Sequence, residues 1–506
     1  MFKKILGESM AKLKKIKYAI DNKQDHDDKA QAIDTDPESI EQKANEYVKM
    51  HDRLPMNRRE FLGAGIIQFG GFLAMPPMMK MMGTSASAKA AGAICDVAKA
   101  SDLPALITLN LAGGAGLSAN WMPLDQGLNP LASYSKMGWG VGPSATREFA
   151  NQAPFFAGSG FLNALKVAMP DAGALLSTNF VGIAVRSQDD SSGNRFDITG
   201  LTKAAGLTGT LLANLGTNNT ATGNNTAPAY VAPPAPLVVG SYNDIVGALS
   251  VSGSLTTIAN RAPALFGTIQ SLNTLQAQKF LGMNYGEQLE QLMVCRSKDN
   301  TNLVSNPNGA ATDPLSETGI ATAWGLTANT SKASRDYVFA TLVYNALKGN
   351  AGSANLTIGG YDYHNGTRAT GDTKDADAGT VVGRILTSAF RLNKKVFIIV
   401  TSDGSVTSAE SDIGGAPWGS DGGLRGSSFM IAMDPSGATV ASKFQLGHYV
   451  AAQAAADNTL VGTAPERAAA AMFVNYLAFA KRIDLFEKNL PRVFSVADLD
   501  AIKVFG

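Results

Sequence analysis

Cysteine, histidine and charge are all scarce in this sequence, and each shortage removes a class of explanation. Two cysteines in 506 residues, Cys95 and Cys295, cannot build a disulfide scaffold and show no Cys-x-x-Cys metal spacing. One disulfide between them, formed in an oxidising compartment, is the most they offer. Of the four histidines, His26 and His51 precede the export segment described below, which leaves His364 and His448 for imidazole chemistry. No Gly-x-Ser-x-Gly elbow is followed by a histidine and an acid, and no Walker loop is present, so Ser-His-Asp hydrolysis and nucleotide binding are poorly supported. A net charge of +1 and the lack of a basic-aromatic stripe argue against nucleic acid as a partner. Charged residues make up only 17%, against 52 glycines and an Asn/Thr/Gly-rich run at residues 217–226, a balance that favours a sheet with long loops over a helical bundle.

What is present begins with an export pattern. Asn57-Arg58-Arg59-Glu60-Phe61-Leu62 leads into mildly apolar residues 63–79 and then into Thr84-Ser85-Ala86-Ser87-Ala88. Basic, apolar and small-residue blocks in this order form a signal segment. The arginine pair before Phe-Leu resembles the twin-arginine kind, which a receptor reads. A membrane anchor needs about 20 strongly apolar residues, whereas Gly70, Gly71, Pro76, Pro77 and Lys80 interrupt this run. The expectation is cleavage after Ala88, the twin-arginine translocase as partner during export, and a mature chain in the periplasm or outside the cell, soluble or peripheral to the envelope. Ahead of the arginines, Phe2, Ile5, Leu6, Met10, Leu13, Ile16 and Ile20 recur at helical spacing among lysines, as in a basic helix lying on an anionic membrane face. A second helix starts near Asp36-Pro37-Glu38. The alternative is a later translation start such as Met56. Three blocks result: a charged leader at 1–57, the signal at 58–88, and one α/β domain at 89–506 with a polar surface insertion at about residues 203–236.

Within that domain, residues 106–111, 179–185, 356–358, 395–400 and 429–433 read as strands, and residues 255–280, 334–347, 381–392 and 468–480 as helices. Strand, helix, strand in the C-terminal third implies a crossover and a largely parallel sheet, in which ligands collect at the carboxyl ends of strands. Gly359-Gly360-Tyr361-Asp362-Tyr363-His364-Asn365 follows one strand, Thr401-Ser402-Asp403-Gly404-Ser405 follows the next, and Gly419-Ser420-Asp421-Gly422-Gly423 lies in the loop after that. Singly, each is an ordinary turn. Together, three carboxylates on one edge would repel by about 4 kcal/mol per close pair, which a cation or protonation must offset. Asp362, His364, Asp403 and Asp421 are therefore the candidate metal ligands, with Asn365 and His448 as extras. Such a mostly oxygen set suits Ca²⁺, Mg²⁺ or Mn²⁺ better than Zn²⁺.

These three motifs, with residues 106–123 and Gly193-Asn194-Arg195-Phe196-Asp197 upstream, resemble in order those of a twin-arginine-exported, sulfatase-like family catalogued as domain of unknown function fifteen-hundred-and-one, within the alkaline-phosphatase-like superfamily. The resemblance covers most of residues 103–485 and implies a three-layer α/β sandwich with a mostly parallel central sheet. It also implies a hydroxyl or modified cysteine acting beside a metal; Ser118 is the hydroxyl this chain places in its first loop, and neither cysteine has a sulfatase-type setting. The chain departs from the pattern at several points. Gly113-Gly114-Ala115-Gly116 carries no acid, Asn194-Arg195-Phe196 replaces Ser-His-Phe, Ser402-Asp403-Gly404 replaces Ser-Glu-Phe, and Asp421-Gly422 replaces Asp-His. Two readings follow. One is an exported phosphatase- or sulfatase-like protein with a degenerate metal site, serving as a non-catalytic envelope or binding component. The other is a metal-dependent hydrolase of phosphate or related esters.

Overall fold

A computed structural model describes residues 103–121, 124–131, 145–186, most of 201–218, 236–249, 312–361, 368–402, 426–450, 453–489 and 494–506. In chain order its strands are β1 (Ala105–Leu111), β2 (Ala145–Thr146), β3 (Phe155–Phe156), β4 (Thr178–Ala184), β5 (Leu215–Gly216), β6 (Leu237–Val238), β7 (Ala354–Ile358), β8 (Val396–Ser402), β9 (Ser427–Met433) and β10 (Gln445–Leu446). β2 and β3 form a small antiparallel pair; the other eight make one sheet in the order β10-β4-β9-β8-β1-β7-β5-β6. Every residue of β1, β4, β8 and β9 is buried. That explains why these strands read as continuous apolar runs: a strand covered on both faces has no solvent side to mark with polar residues.

The sheet is mostly parallel. β1 runs parallel to β7 and β8, β5 to β6 and β7, and β10 to β4. Only β9 opposes its neighbours, β4 and β8. The strand pattern at residues 429–433 carries no direction, so this reversal was not readable. Antiparallel neighbours need no crossover; the chain therefore leaves β8 and re-enters at β9 on the same edge.

The helices are α1 (Gly160–Ala168), α2 (Tyr242–Leu249), α3 (Thr318–Trp324), α4 (Arg335–Leu347), α5 (Arg368–Arg391), α6 (Pro465–Phe479), α7 (Asp484–Asn489) and α8 (Val496–Ile502). Alternate residues of each central strand divide between two cores. Leu109, Val400 and Phe429 pack with α1, α3, α4 and α5 on one face, while Leu106, Phe397 and Met430 pack with α6 and α8 on the other. The architecture is a three-layer α/β sandwich, as expected.

α5 begins well before the expected residue 381, because its first half is polar and shows no apolar period. It ends in a Schellman-type turn: Asn393 takes φ +50 and Lys394 donates its N–H to the Ala389 carbonyl at 2.9 Å. α5 meets α1 through glycine. A Cβ on Gly379 would lie 2.1 Å from the Phe161 carbonyl oxygen, and one on Gly383 would lie 2.6 Å from that of Leu165. Gly379 and Gly383 are four residues apart, on one face of the helix. The Thr387 hydroxyl then donates to the Ala168 carbonyl at 2.7 Å, closing the end of α1.

Within the expected insertion, residues 219–235 lie outside the described residues, but the stretch is not all surface. Leu207 is buried, and Leu215–Gly216 forms β5 beside β7. A two-residue strand in a Gly/Asn/Thr-rich setting leaves too short a trace for periodicity to register. The expected helix at 255–280, the leader, the signal segment and both cysteines also lie outside the described residues.

Candidate functional site

The seven co-directional strands deliver their carboxyl ends to one edge, and its centre lies at β7, β1 and β8. The chain leaving β1 turns through Gly113 (φ +114) and Gly114 (φ +97), a conformation that side-chain-bearing residues rarely adopt. This turn is stitched to both neighbours. Ala112 donates its N–H to the Ile358 carbonyl at 2.9 Å, and Tyr361 donates its N–H to the Ala112 carbonyl at 3.1 Å. On the other side the Ser402 hydroxyl donates to the Leu111 carbonyl at 2.8 Å and accepts the Ala115 N–H at 2.7 Å. Ser402, read as part of a motif, is thus a structural clasp.

Asp362, His364, Asn365, Asp403 and Asp421 lie outside the described residues. Their flanks do not. Asp362 follows Tyr361 and Asp403 follows Ser402, and both of these anchors bond to the single turn after β1. With about 4.8 Å between neighbouring strands, the ends of β7 and β8 stand about 10 Å apart across β1. His448 follows β10, five strand spacings from β7 or roughly 24 Å across the sheet. It thus lies far from the end of β7. The Asp125 carboxyl is held below the usual carboxylate value chiefly by the Asn129 N–H, against a desolvation cost.

Ser118 sits in a 3-10 turn, Leu117–Ala119, that is wholly buried, and its hydroxyl makes no hydrogen bond to any described residue. Asn120 anchors that turn. Its amide donates to Asp375 Oδ2 at 2.8 Å, and its Oδ1 accepts the Ser159 hydroxyl at 2.9 Å and the Phe161 N–H at 3.4 Å. Ser159 also caps α1 by accepting the Leu162 N–H at 3.1 Å. One amide side chain thus joins the β1 loop to α1 and α5. Tyr361, fully buried beneath the edge, donates its hydroxyl to the Lys374 carbonyl at 2.8 Å. Burial, and after it the charges of Asp375 and Asp377, push this phenol above the ordinary tyrosine value, so it remains a donor. Sequence reasoning missed the pairing of Asn120 with Asp375 because the two lie 255 positions apart; Tyr361 stood in a quoted motif, but nothing in its spacing showed its bond to Ala112.

Among the described residues no group of three or more His, Cys, Asp or Glu is arranged to hold a metal, and no described helix is long and apolar enough to cross a membrane. No family model, curated protein or solved structure matches this chain.

Proposed function

We propose that the chain is an exported, alkaline-phosphatase-like protein whose carboxyl edge holds one hard divalent cation and which works as a non-catalytic binding or envelope component. The observation that carries this reading is the double attachment of the β1 turn. Tyr361 and Ser402, each one residue before a candidate aspartate, bond to Leu111, Ala112 and Ala115. The oxygen-rich set of Asp362, Asp403 and Asp421, with His364, fits Ca²⁺, Mg²⁺ or Mn²⁺. The buried Ser118 and the acid-free Gly113-Gly114-Ala115-Gly116 turn favour binding over hydrolysis.

A specific observation keeps the second reading: the Ser118 hydroxyl engages no described partner, as an unused nucleophile would. When bound, a cation would supply Lewis acidity to ester hydrolysis.

The discriminating experiment is thermal. Chelator should lower the melting temperature, and Ca²⁺, Mg²⁺ or Mn²⁺ should restore it, by about 2.7 kcal/mol of stability at a hundredfold excess over Kd. Asp403→Asn should shrink the response. No response in either protein would reduce these aspartates to turn formers. Turnover of an aryl phosphate, abolished by Asp362→Ala, would establish the hydrolase instead.

A further inference from the structure

The amino edge of the sheet, opposite the candidate site, carries two loops with apolar tips. One leads from α1 into β4 and the other from β9 into β10. Val167 at the end of α1 is 84% exposed, Leu176 in the 3-10 turn Leu175–Ser177 is 67% exposed, and Val440 in the second loop is 55% exposed. A single exposed aliphatic side chain needs no explanation, but several on adjoining loops form a patch. The loops do adjoin. Asp434 donates its N–H to the Ser177 carbonyl at 3.2 Å, and the Asn179 amide donates to the Thr439 carbonyl and accepts the Ala441 N–H at 2.8 Å each. Pro170, Ala172, Gly173, Gly437 and Ala438 are exposed between them, so the tips are small or apolar.

Charge is arranged around these tips. Arg391, at the end of α5, pairs with Asp171 of the first loop at 2.9 Å, and Lys395 pairs with Asp434 of the second at 2.8 Å. The segment from Arg391 to Lys395 therefore bridges the two loops. Lys394, exposed within it, pairs with no described carboxylate, and the exposed Lys443 reaches only the Ala501 carbonyl, at 3.2 Å. Glu148, beside α1, is engaged by Lys166 at 2.7 Å. With Glu148, Asp171 and Asp434 each held by a cation, Lys394 and Lys443 leave these segments with a surplus of positive charge.

None of the strongly exposed apolar side chains among the described residues is aromatic, and aromatic or arginine anchors are what protein-protein hot spots use. A bilayer surface asks for less: apolar area to bury and cations for anionic headgroups, with no matching shape. We infer that the amino edge is a docking surface for an anionic lipid bilayer, with Val167, Leu176 and Val440 entering the headgroup region and Lys394 and Lys443 meeting the headgroup charge. Docking rests on the envelope reading above but not on its cation. The seven residues of β8 span roughly 23 Å, so the carboxyl edge would face water, away from the lipid.

The test uses the full chain and vesicles of phosphatidylcholine, alone or with equimolar phosphatidylglycerol. The basic leader at residues 1–57 can hold the chain on the same vesicles, so the readout is a tryptophan placed at the edge itself, by Val440→Trp or Leu176→Trp. Its emission, taken against the parent's, should shift to the blue on phosphatidylglycerol vesicles and become quenchable by brominated lipid. Leu128→Trp, an exposed position in the carboxyl-edge loop that Tyr449 bonds through Leu124, should show neither change. Lys394→Glu with Lys443→Glu should raise the lipid concentration for half of the shift about tenfold, and Val167→Ser with Leu176→Ser, read by the Val440→Trp probe, should do likewise. Absence of a shift at both edge probes overturns the inference, whether the chain sediments with the vesicles through its leader or not at all. An equal shift at Leu128→Trp, or one that the lysine changes leave unaltered, overturns it too. A protein that ignores chelator but passes this test loses the cation reading and keeps the docking surface; one that responds to chelator but fails here does the reverse.

Discussion

The indole of Trp121 occupies the space that a side chain on Gly182 would need: a Cβ there would lie 2.3 Å from Cζ2 of the ring. Trp121 cannot give way. Its Nε1 donates to the Ser427 hydroxyl at 3.2 Å, and its ring contacts Phe180, Phe429 and Tyr449 at centroid distances of 5.9, 6.5 and 6.2 Å. The relationship ties the loop after β1 to β4 and β9. Gly182→Ala should therefore destabilise the protein by about 3 kcal/mol in urea unfolding, at the upper end for overpacking. Trp121→Leu in the same chain should recover part of the loss, a coupling that a double-mutant cycle reads directly.

Two other glycines should respond with opposite signs. Gly379→Ala would press a methyl against the Phe161 carbonyl, a backbone atom that cannot rotate away, and should cost about 3 kcal/mol by separating α1 from α5. Gly247, in α2, is exposed and has nothing within 4 Å of an added Cβ. Gly247→Ala should stabilise by about 0.5–1 kcal/mol through helix propensity. Equal effects at the two positions would contradict the close α1–α5 contact.

Asp434 sets an acid limit on stability. Burial alone would raise its pKa, but the Lys395 ammonium at 2.8 Å, the Ser436 hydroxyl and N–H and the Thr439 hydroxyl outweigh it and bring the group down to about 2 from 3.8. A carboxyl depressed on folding contributes stability that is present above its unfolded value and is lost as the pH falls through its folded value. Between pH 5 and pH 2 the parent should lose about 2 kcal/mol more than Asp434→Asn. Parallel urea midpoints for the two proteins across that range would contradict the assignment.

Asn120→Ala should cost about 3 kcal/mol, because it strips a hydrogen bond from the buried Asp375 carboxylate and frees the Ser159 hydroxyl at once. Ser159→Ala should cost only about 1 kcal/mol, the value of a helix cap. The pair should be non-additive, as members of one network are.

Export is tested without structure. Replacing Arg58 and Arg59 together by lysine should leave the precursor in the cytoplasm, as judged by cell fractionation, while the single change at either position has a smaller effect. Normal accumulation of the double lysine variant outside the cytoplasm would remove the twin-arginine reading.

Legibility differed by kind of feature. The buried strands at 106–111, 179–185 and 429–433 were readable because two-sided burial leaves an uninterrupted apolar run, and the helices at 334–347 and 468–480 because they are long and apolar. Direction was not readable: Phe429-Met430-Ile431 has the same composition whether β9 runs with β8 or against it. Short elements such as β5 and the polar first half of α5 were missed, since neither carries enough apolar residues to show a period. At the edge, the sequence pointed to the loops after β7 and β8, and the strands place the starts of both loops beside the turn after β1. What it could not show was how that edge is held. Ser402 reads as half of a Ser-Asp motif, and only the pairing of β8 with β1 reveals its hydroxyl closing on Leu111. Asn120 and Asp375 likewise meet through packing, not through spacing.

The strand order also sets a clock. β1, the centre of the sheet, finds its partners in β7 and β8, and the bond between Thr108 and Asn355 spans 247 positions. At about 5–20 residues per second, roughly 12–50 s of synthesis separate the two strands. Throughout that interval both edges of an apolar strand stand without their native neighbours, an invitation to mispairing. A chain stopped anywhere before β7 has no central sheet at all. Ribosomal pausing and chaperone capture therefore bear on this fold far more at residue 350 than at residue 100.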